Sequence, residues 1–129
     1  MLTACQTTSN DVMKKDPEKA AKVRAQMAIE FFKAGDLDAT KRALDQALEA
    51  NPRDSQANMM MGVLLQQEGS KLNVEKADGY FKRAISNEPN NAMARNNYGT
   101  YLYQTERYNE AIEQFTRAGA TLGYDQRYE

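Results

Sequence analysis

The sequence predicts an all-α fold made of three stacked, antiparallel helix pairs. Composition, a repeated pattern of side-chain size, and helix-capping signals at the repeat boundaries carry this prediction. Of 129 residues, 18 are Ala and only 7 are Val or Ile, a balance that favours helix over strand. Gly and Pro fall between the apolar-periodic stretches, where they punctuate helices.

The size pattern recurs three times. Met27-Ala28, Met61-Gly62 and Tyr98-Gly99 are each followed three positions later by a large apolar residue, at Phe31, Leu65 and Leu102. A second set follows: Thr40, Leu44, Ala47 and Pro52; then Ala77, Phe81, Ala84 and Pro89; then Ala111, Phe115 and Ala118. The first set recurs at 34 and then 37 residues, the second at 37 and then 34. The period is therefore 34, and the reversal places a three-residue insertion within Gln66 to Lys76. Small residues at 28, 62 and 99 and at 47, 84 and 118 let two helix backbones approach, while the large ones fill the remaining space. The pattern resembles the tetratricopeptide repeat, and it implies a superhelix of helix-turn-helix units.

Local signals place each element. Asp16 before Pro17 and Glu18 supplies an N-cap acceptor, a fixed φ and an acid in the first turn, so the first helix is expected over about Pro17 to Ala34. Gly35-Asp36 makes the turn and the next cap, and the second helix runs to about Ala50, before Asn51-Pro52. Further pairs are expected at Asp54–Glu68 with Asn73–Asn87, and at Asn91–Thr105 with Tyr108–Ala120. Residues 1–16 read as an N-terminal segment, taken up below, that ends in a polar tether, and 17–124 as the repeat domain, with copies at about 21–54, 55–91 and 92–124. Leu122 to Asp125 reads as a lead-in to another helix, so 125–129 is expected to begin a further element of a truncated array.

Composition also narrows function. Seventeen basic and 18 acidic residues leave a net charge of −1, which disfavours nucleic acid and anionic membranes as partners of the whole molecule. A single cysteine and no histidine exclude an internal disulfide, a His-based catalytic triad and a Cys/His zinc site. Neither common phosphate-cradling glycine motif is present. Glu106 and Glu110 form an acid pair at helical spacing, which describes a solvated face rather than catalytic carboxylates. A binding protein is expected, with no cofactor, metal, nucleic acid or small-molecule substrate.

The first helix of every pair is expected to line a ligand-receiving surface. Its candidate residues are Lys22, Ala25, Ile29, Phe32 and Lys33; Gln56, Met59, Val63, Gln66 and Gln67; and Met93, Asn96, Thr100, Tyr103 and Gln104. Met and aromatic side chains supply contact area, and the amides can pair with a peptide main chain. A chaperone-type clamp for a terminal carboxylate needs cations and an Asn in such a surface, and Ala25 and Ile29 stand where two of them belong.

Met1-Leu2-Thr3-Ala4-Cys5 resembles the end of a bacterial lipoprotein signal. The resemblance implies lipidation of Cys5, and each buried acyl methylene contributes about 0.8 kcal/mol to anchoring. Gln6 to Lys15 would then form a tether of at most about 35 Å. Because Gln6 is not the Asp that retains such proteins in the inner membrane, the resemblance implies an outer-membrane anchor facing the periplasm. The charged and apolar regions of a complete signal do not precede Cys5.

The stretch Asn90-Asn91-Ala92-Met93-Ala94-Arg95-Asn96-Asn97-Tyr98-Gly99-Thr100-Tyr101-Leu102-Tyr103, continuing through Glu106-Arg107-Tyr108-Asn109-Glu110-Ala111, is similar to the third repeat of the type IV pilus biogenesis lipoproteins of the PilF/PilW family. That similarity implies a non-catalytic pilotin, which helps the pilus secretin reach the outer membrane and multimerise, or stabilises pili. The alternatives are a cytoplasmic repeat adaptor with an incidental Cys5, and an envelope lipoprotein scaffold serving a different client.

Overall fold

A computed structural model describes residues 15–127, with side chains as far as Leu122. Cys5 and most of the expected tether lie outside the described residues. Among the described residues six helices are laid out in full, in the order α1 (Pro17–Lys33), α2 (Leu37–Ala50), α3 (Ser55–Glu68), α4 (Lys71–Asn87), α5 (Ala92–Gln104) and α6 (Tyr108–Arg127). They form three antiparallel pairs, α1/α2, α3/α4 and α5/α6, and among the described residues there is no strand. Between pairs, α3 packs on both α1 and α2, and α5 packs on both α3 and α4. The fold is the tetratricopeptide repeat.

The helix starts follow from short polar side chains that satisfy otherwise orphaned backbone N–H groups. Asp16 accepts from the Lys19 amide at 3.0 Å, Asp36 from Ala39 at 3.0 Å, Asp54 from Ala57 at 2.9 Å and Asn91 from Ala94 at 3.0 Å. The turn inside each pair repeats too. Gly35, Gly69 and Glu106 occupy equivalent positions and take φ of 81°, 84° and 64°. Glycine adopts this left-handed backbone without a steric penalty; the third copy imposes it on a glutamate.

The core runs through the pairs as one cluster that includes Ala28, Leu44, Ala47, Met61, Phe81, Ala84, Tyr98 and Leu102. Small residues at the helix crossings are required by geometry. A Cβ built on Gly62 would lie 2.9 Å from the Phe81 ring, and one on Gly99 would lie 2.7 Å from the Phe115 ring.

Two boundaries differ from expectation. The insertion in the second copy lengthens a helix and not a loop: α4 has 17 residues against 14 in α2, and begins at Lys71 rather than Asn73. Glu68 is the cause, since its carboxylate accepts from the Ser70 amide and hydroxyl and from the Asn73 side chain, while Ser70 Oγ caps the Asn73 amide at 3.3 Å. These bonds hold the Glu68 carboxyl below its ordinary pKa of 4.5. The second difference is at the far end, where Leu122 to Asp125 continues α6 to Arg127 and does not lead into a new helix. The first two copies end their second helix before Pro52 and Pro89, but the third has Gly123 at that position. An interior glycine costs a helix about 1 kcal/mol, without the steric block that proline imposes.

Candidate binding site on the first helices

Because α1, α3 and α5 lie side by side and point the same way, their N-terminal ends share one border of the molecule and their C-terminal ends another. Each border carries a trough. The larger, about 560 Å³, is lined by Lys22, Gln26, Gln56, Met59 and Met93, together with Ser55 at the start of α3 and the turn residues Asp54, Glu88, Asn90 and Asn91 that enter α3 and α5. The smaller, about 330 Å³, is lined by Val63, Gln66, Gln67, Asn97, Thr100 and Gln104. The Gln66 side-chain amide donates to the Gln104 side-chain oxygen, bridging α3 and α5 across it.

The expected contact residues therefore separate. Lys22, Gln56 and Met93 reach the first trough; Val63, Gln66, Gln67, Thr100 and Gln104 line the second. Two expectations need correction. Ala25 and Met59, equivalent positions in the first two copies, are fully buried in the core. Each lies beneath the pair that follows; Met59 contributes only the floor of its trough, and Ala25 is unavailable to a ligand. Asn96, the third member of the set, is exposed. Ile29 and Phe32 are half-buried against the core. Lys33 stands in solvent 3.7 Å from Glu30, and Tyr103 packs edge-on against Tyr108 with ring centroids 5.4 Å apart, so neither lines a trough.

Residues outside the expected set complete the site. Gln26 and Asn97 sit one position beyond Ala25 and Asn96, and helical periodicity alone could have found them once position 25 was recognised as core. The turn residues were not visible as site residues in the sequence, because they meet the helices only through stacking.

The polar groups around the first trough are well ordered. Ser55 Oγ donates to the Ala84 carbonyl at 2.7 Å and accepts from the Asn91 side chain at 3.0 Å, so a single hydroxyl ties α3, α4 and the turn before α5. Asn58 donates to the carbonyls of Pro52 and Asp54, each at 2.9 Å. Such fixed walls suit recognition of a partner already held in place.

A second polar cluster locks the third pair to α4. Asp78 accepts from Tyr98 Oη at 2.7 Å and from Arg107 at 2.8 Å, and pairs with Lys82 at 2.9 Å. Arg107 also forms a forked pair with Glu110 at 2.7 and 2.9 Å, and Tyr101 Oη donates to the Val74 carbonyl at 2.8 Å. Burial pushes the Asp78 carboxyl up, but the bonds from Lys82, Tyr98 and Arg107 outweigh it and hold its pKa below the ordinary 3.8. Burial, and then the bond to Asp78, raises the Tyr98 phenol. These shifts belong to a structural lock and not to an acid–base pair: in the core the Tyr98 ring stacks on Phe81 and the Tyr101 ring packs tilted against it. Among the described residues no cluster of His, Cys, Asp and Glu is arranged to hold a metal, and no helix is long and apolar enough to cross a membrane.

Comparison with known proteins agrees with this architecture. Tetratricopeptide repeat families match residues 26–73 and 80–113. The type IV pilus assembly protein PilF of Pseudomonas aeruginosa is 29% identical over 129 residues, covering 98% of this chain and 50% of that protein. The solved structure of P. aeruginosa PilF superposes with a TM-score of 0.75 at 28% identity, over 88% of this chain and 50% of that one. An O-GlcNAc transferase of Thermobaculum terrenum shares the fold, with a TM-score of 0.73 at 24% identity over 83% of this chain and 20% of that one. The repeat scaffold is in general non-catalytic, though that transferase shows that it also occurs within enzymes. The chain spans about half the length of the PilF sequence that it matches. It carries tetratricopeptide repeats and is similar to PilF over nearly its whole length.

Proposed function

We propose that the protein is a non-catalytic scaffold for type IV pilus assembly, anchored to the periplasmic face of the outer membrane through lipid on Cys5. In this reading it promotes localisation and multimerisation of the pilus secretin, or stability of the pilus. The observation that carries the reading is the likeness to PilF across nearly the whole chain, together with two ordered troughs on the face where repeat scaffolds receive ligands. Lipid and trough would act jointly: the anchor restricts the scaffold to the membrane that receives the secretin, and restriction raises the effective concentration of a weak contact.

The test is secretin localisation in cells lacking the gene, complemented with the wild-type protein or with Cys5→Ala. Outer-membrane secretin multimers are expected with the wild type and are expected to fall sharply with the variant. Normal multimers in the uncomplemented deletion strain would rule out the secretin role. Normal function of Cys5→Ala would rule out the anchor and favour an unlipidated adaptor.

A further inference from the structure

The two troughs differ in charge. The larger holds Lys22, Asp54 and Glu88. The smaller, between α3 and α5, is lined by Val63, Gln66, Gln67, Asn97, Thr100 and Gln104 and holds no charged side chain, on a molecule in which 27% of residues are charged. Equivalent positions show that the fold does not require such a lining. One junction earlier, between α1 and α3, the counterparts of Val63, Gln66 and Asn97 are Ile29, Phe32 and Met60. Met60 belongs to the core, and Ile29 and Phe32 pack against it. The stack therefore closes this position with apolar side chains at its first junction and leaves it open and lined by amides at its second.

A carboxamide places a carbonyl acceptor and N–H donors on one planar group, the same chemistry as a peptide unit. Several of them in one trough can pair with the N–H and C=O groups of an extended main chain, as a sheet edge does. The bridge from Gln66 to Gln104 marks a place for this. A peptide unit entering there can accept from the Gln66 amide and donate to the Gln104 oxygen, so the one bond that is broken is replaced by two. Thr100 Oγ donates to the Asn96 carbonyl at 3.1 Å, which leaves its lone pairs to accept. Val63, half-buried against the core, supplies an apolar contact. An ionised side chain would find no counter-charge among these residues, and its loss of water would go uncompensated.

We propose that the smaller trough binds an uncharged, extended segment of the partner protein through that segment's main chain. This rests on the reading that a partner is received on the face formed by α1, α3 and α5. It adds what the partner must present there: a stretch free of Asp, Glu, Lys and Arg, whose main-chain groups are not already paired within a helix or sheet. Beyond the exclusion of charge, side-chain identity matters little, because the groups being read are common to every residue except proline, which lacks the N–H.

The probe is a library of random peptides displayed on phage. It is first depleted on Gln66→Glu, which loses the donor at the bridge, and then selected on the wild-type 129-residue chain. The substitution alters a side chain at the trough and should leave the helical melting curve in place. Peptides that survive should share an uncharged stretch and bind the variant about tenfold more weakly than the wild type. N-methylation of single main-chain amides within that stretch should weaken binding by about tenfold, whereas alanine in place of the same side chains should change it by less than about threefold. This scan uses the wild type alone, so it decides the matter even where the variant is destabilised. A depleted library that yields no binder would overturn the proposal, as would survivors charged along their whole length or peptides that respond to alanine and not to N-methylation. No secretin takes part, so the trough's chemistry can fail with the secretin role intact, and the secretin role can fail in the localisation test with the trough's chemistry intact.

Discussion

Phe81 and Phe115 stand 34 residues apart at the same repeat position, each pressed against a glycine of its partner helix, yet only Phe81 is core. Phe81 has the rings of Tyr98 and Tyr101 at 5.6 and 5.4 Å, both supplied by the pair that follows. No described residue does this for Phe115. In a stacked array, identity at a repeat position decides how a pair closes on itself, and the neighbouring pair decides how much water each side chain loses.

The largest expected effect of that difference is at the phenylalanines themselves. Phe81→Ala should cost about 3–5 kcal/mol, the range for a fully buried ring. Phe115→Ala should cost less than half of that, because its ring already meets water on one side. Equal losses by chemical denaturation would contradict the distinction between the two pairs.

Next come the glycines beneath them. Gly62→Ala drives a methyl to 2.9 Å from a ring enclosed on every side and should cost about 1–3 kcal/mol. Gly99→Ala makes a closer nominal contact, 2.7 Å, but the Phe115 ring has open space to move into, so the smaller effect is expected there. Measured unfolding free energies in the reverse order would indicate that backbone approach, not ring enclosure, sets the penalty.

The Asp78 lock between α4 and the third pair has a pH signature. Its native pKa is depressed, so its stabilising contribution is complete above the ordinary aspartate value of 3.8 and is lost as pH falls through the lower native value. Asp78→Asn should therefore melt below the wild type at neutral pH, with the gap closing in strong acid. A gap constant with pH would show that geometry, and not charge, makes the lock. The smallest effect is expected at Glu106, whose left-handed φ of 64° is held by glycine in the other two turns. Glu106→Gly should stabilise by about 1 kcal/mol, read as a modest rise in Tm; a fall would show that the glutamate side chain offsets the strain.

Much of the pairing was legible in the sequence, because close helix crossings demand small residues and a helix start demands a capping acceptor, and both requirements are local. The three-residue insertion was located, but its form was not: whether Lys71 and Leu72 join the helix depends on the three bonds that Glu68 accepts. Ala25 and Met59 resembled site residues because periodicity reports which side of a helix a residue occupies, not whether a later pair covers it. The Asp78 cluster joins α4, α5 and the turn before α6, and no sequence spacing encodes that meeting. Position 123 showed that a missing proline allows a helix to continue even where glycine replaces it.

In the proposed function a protein partner is received on the face formed by α1, α3 and α5. Hydrogen–deuterium exchange of the chain with and without the pilus secretin reads that contact residue by residue. Added protection should appear around Gln56, Gln66, Met93 and Gln104 and in the turns bordering the first trough, with α2 and α4 unchanged. Protection confined to the outer surfaces of α2 and α4 would contradict it.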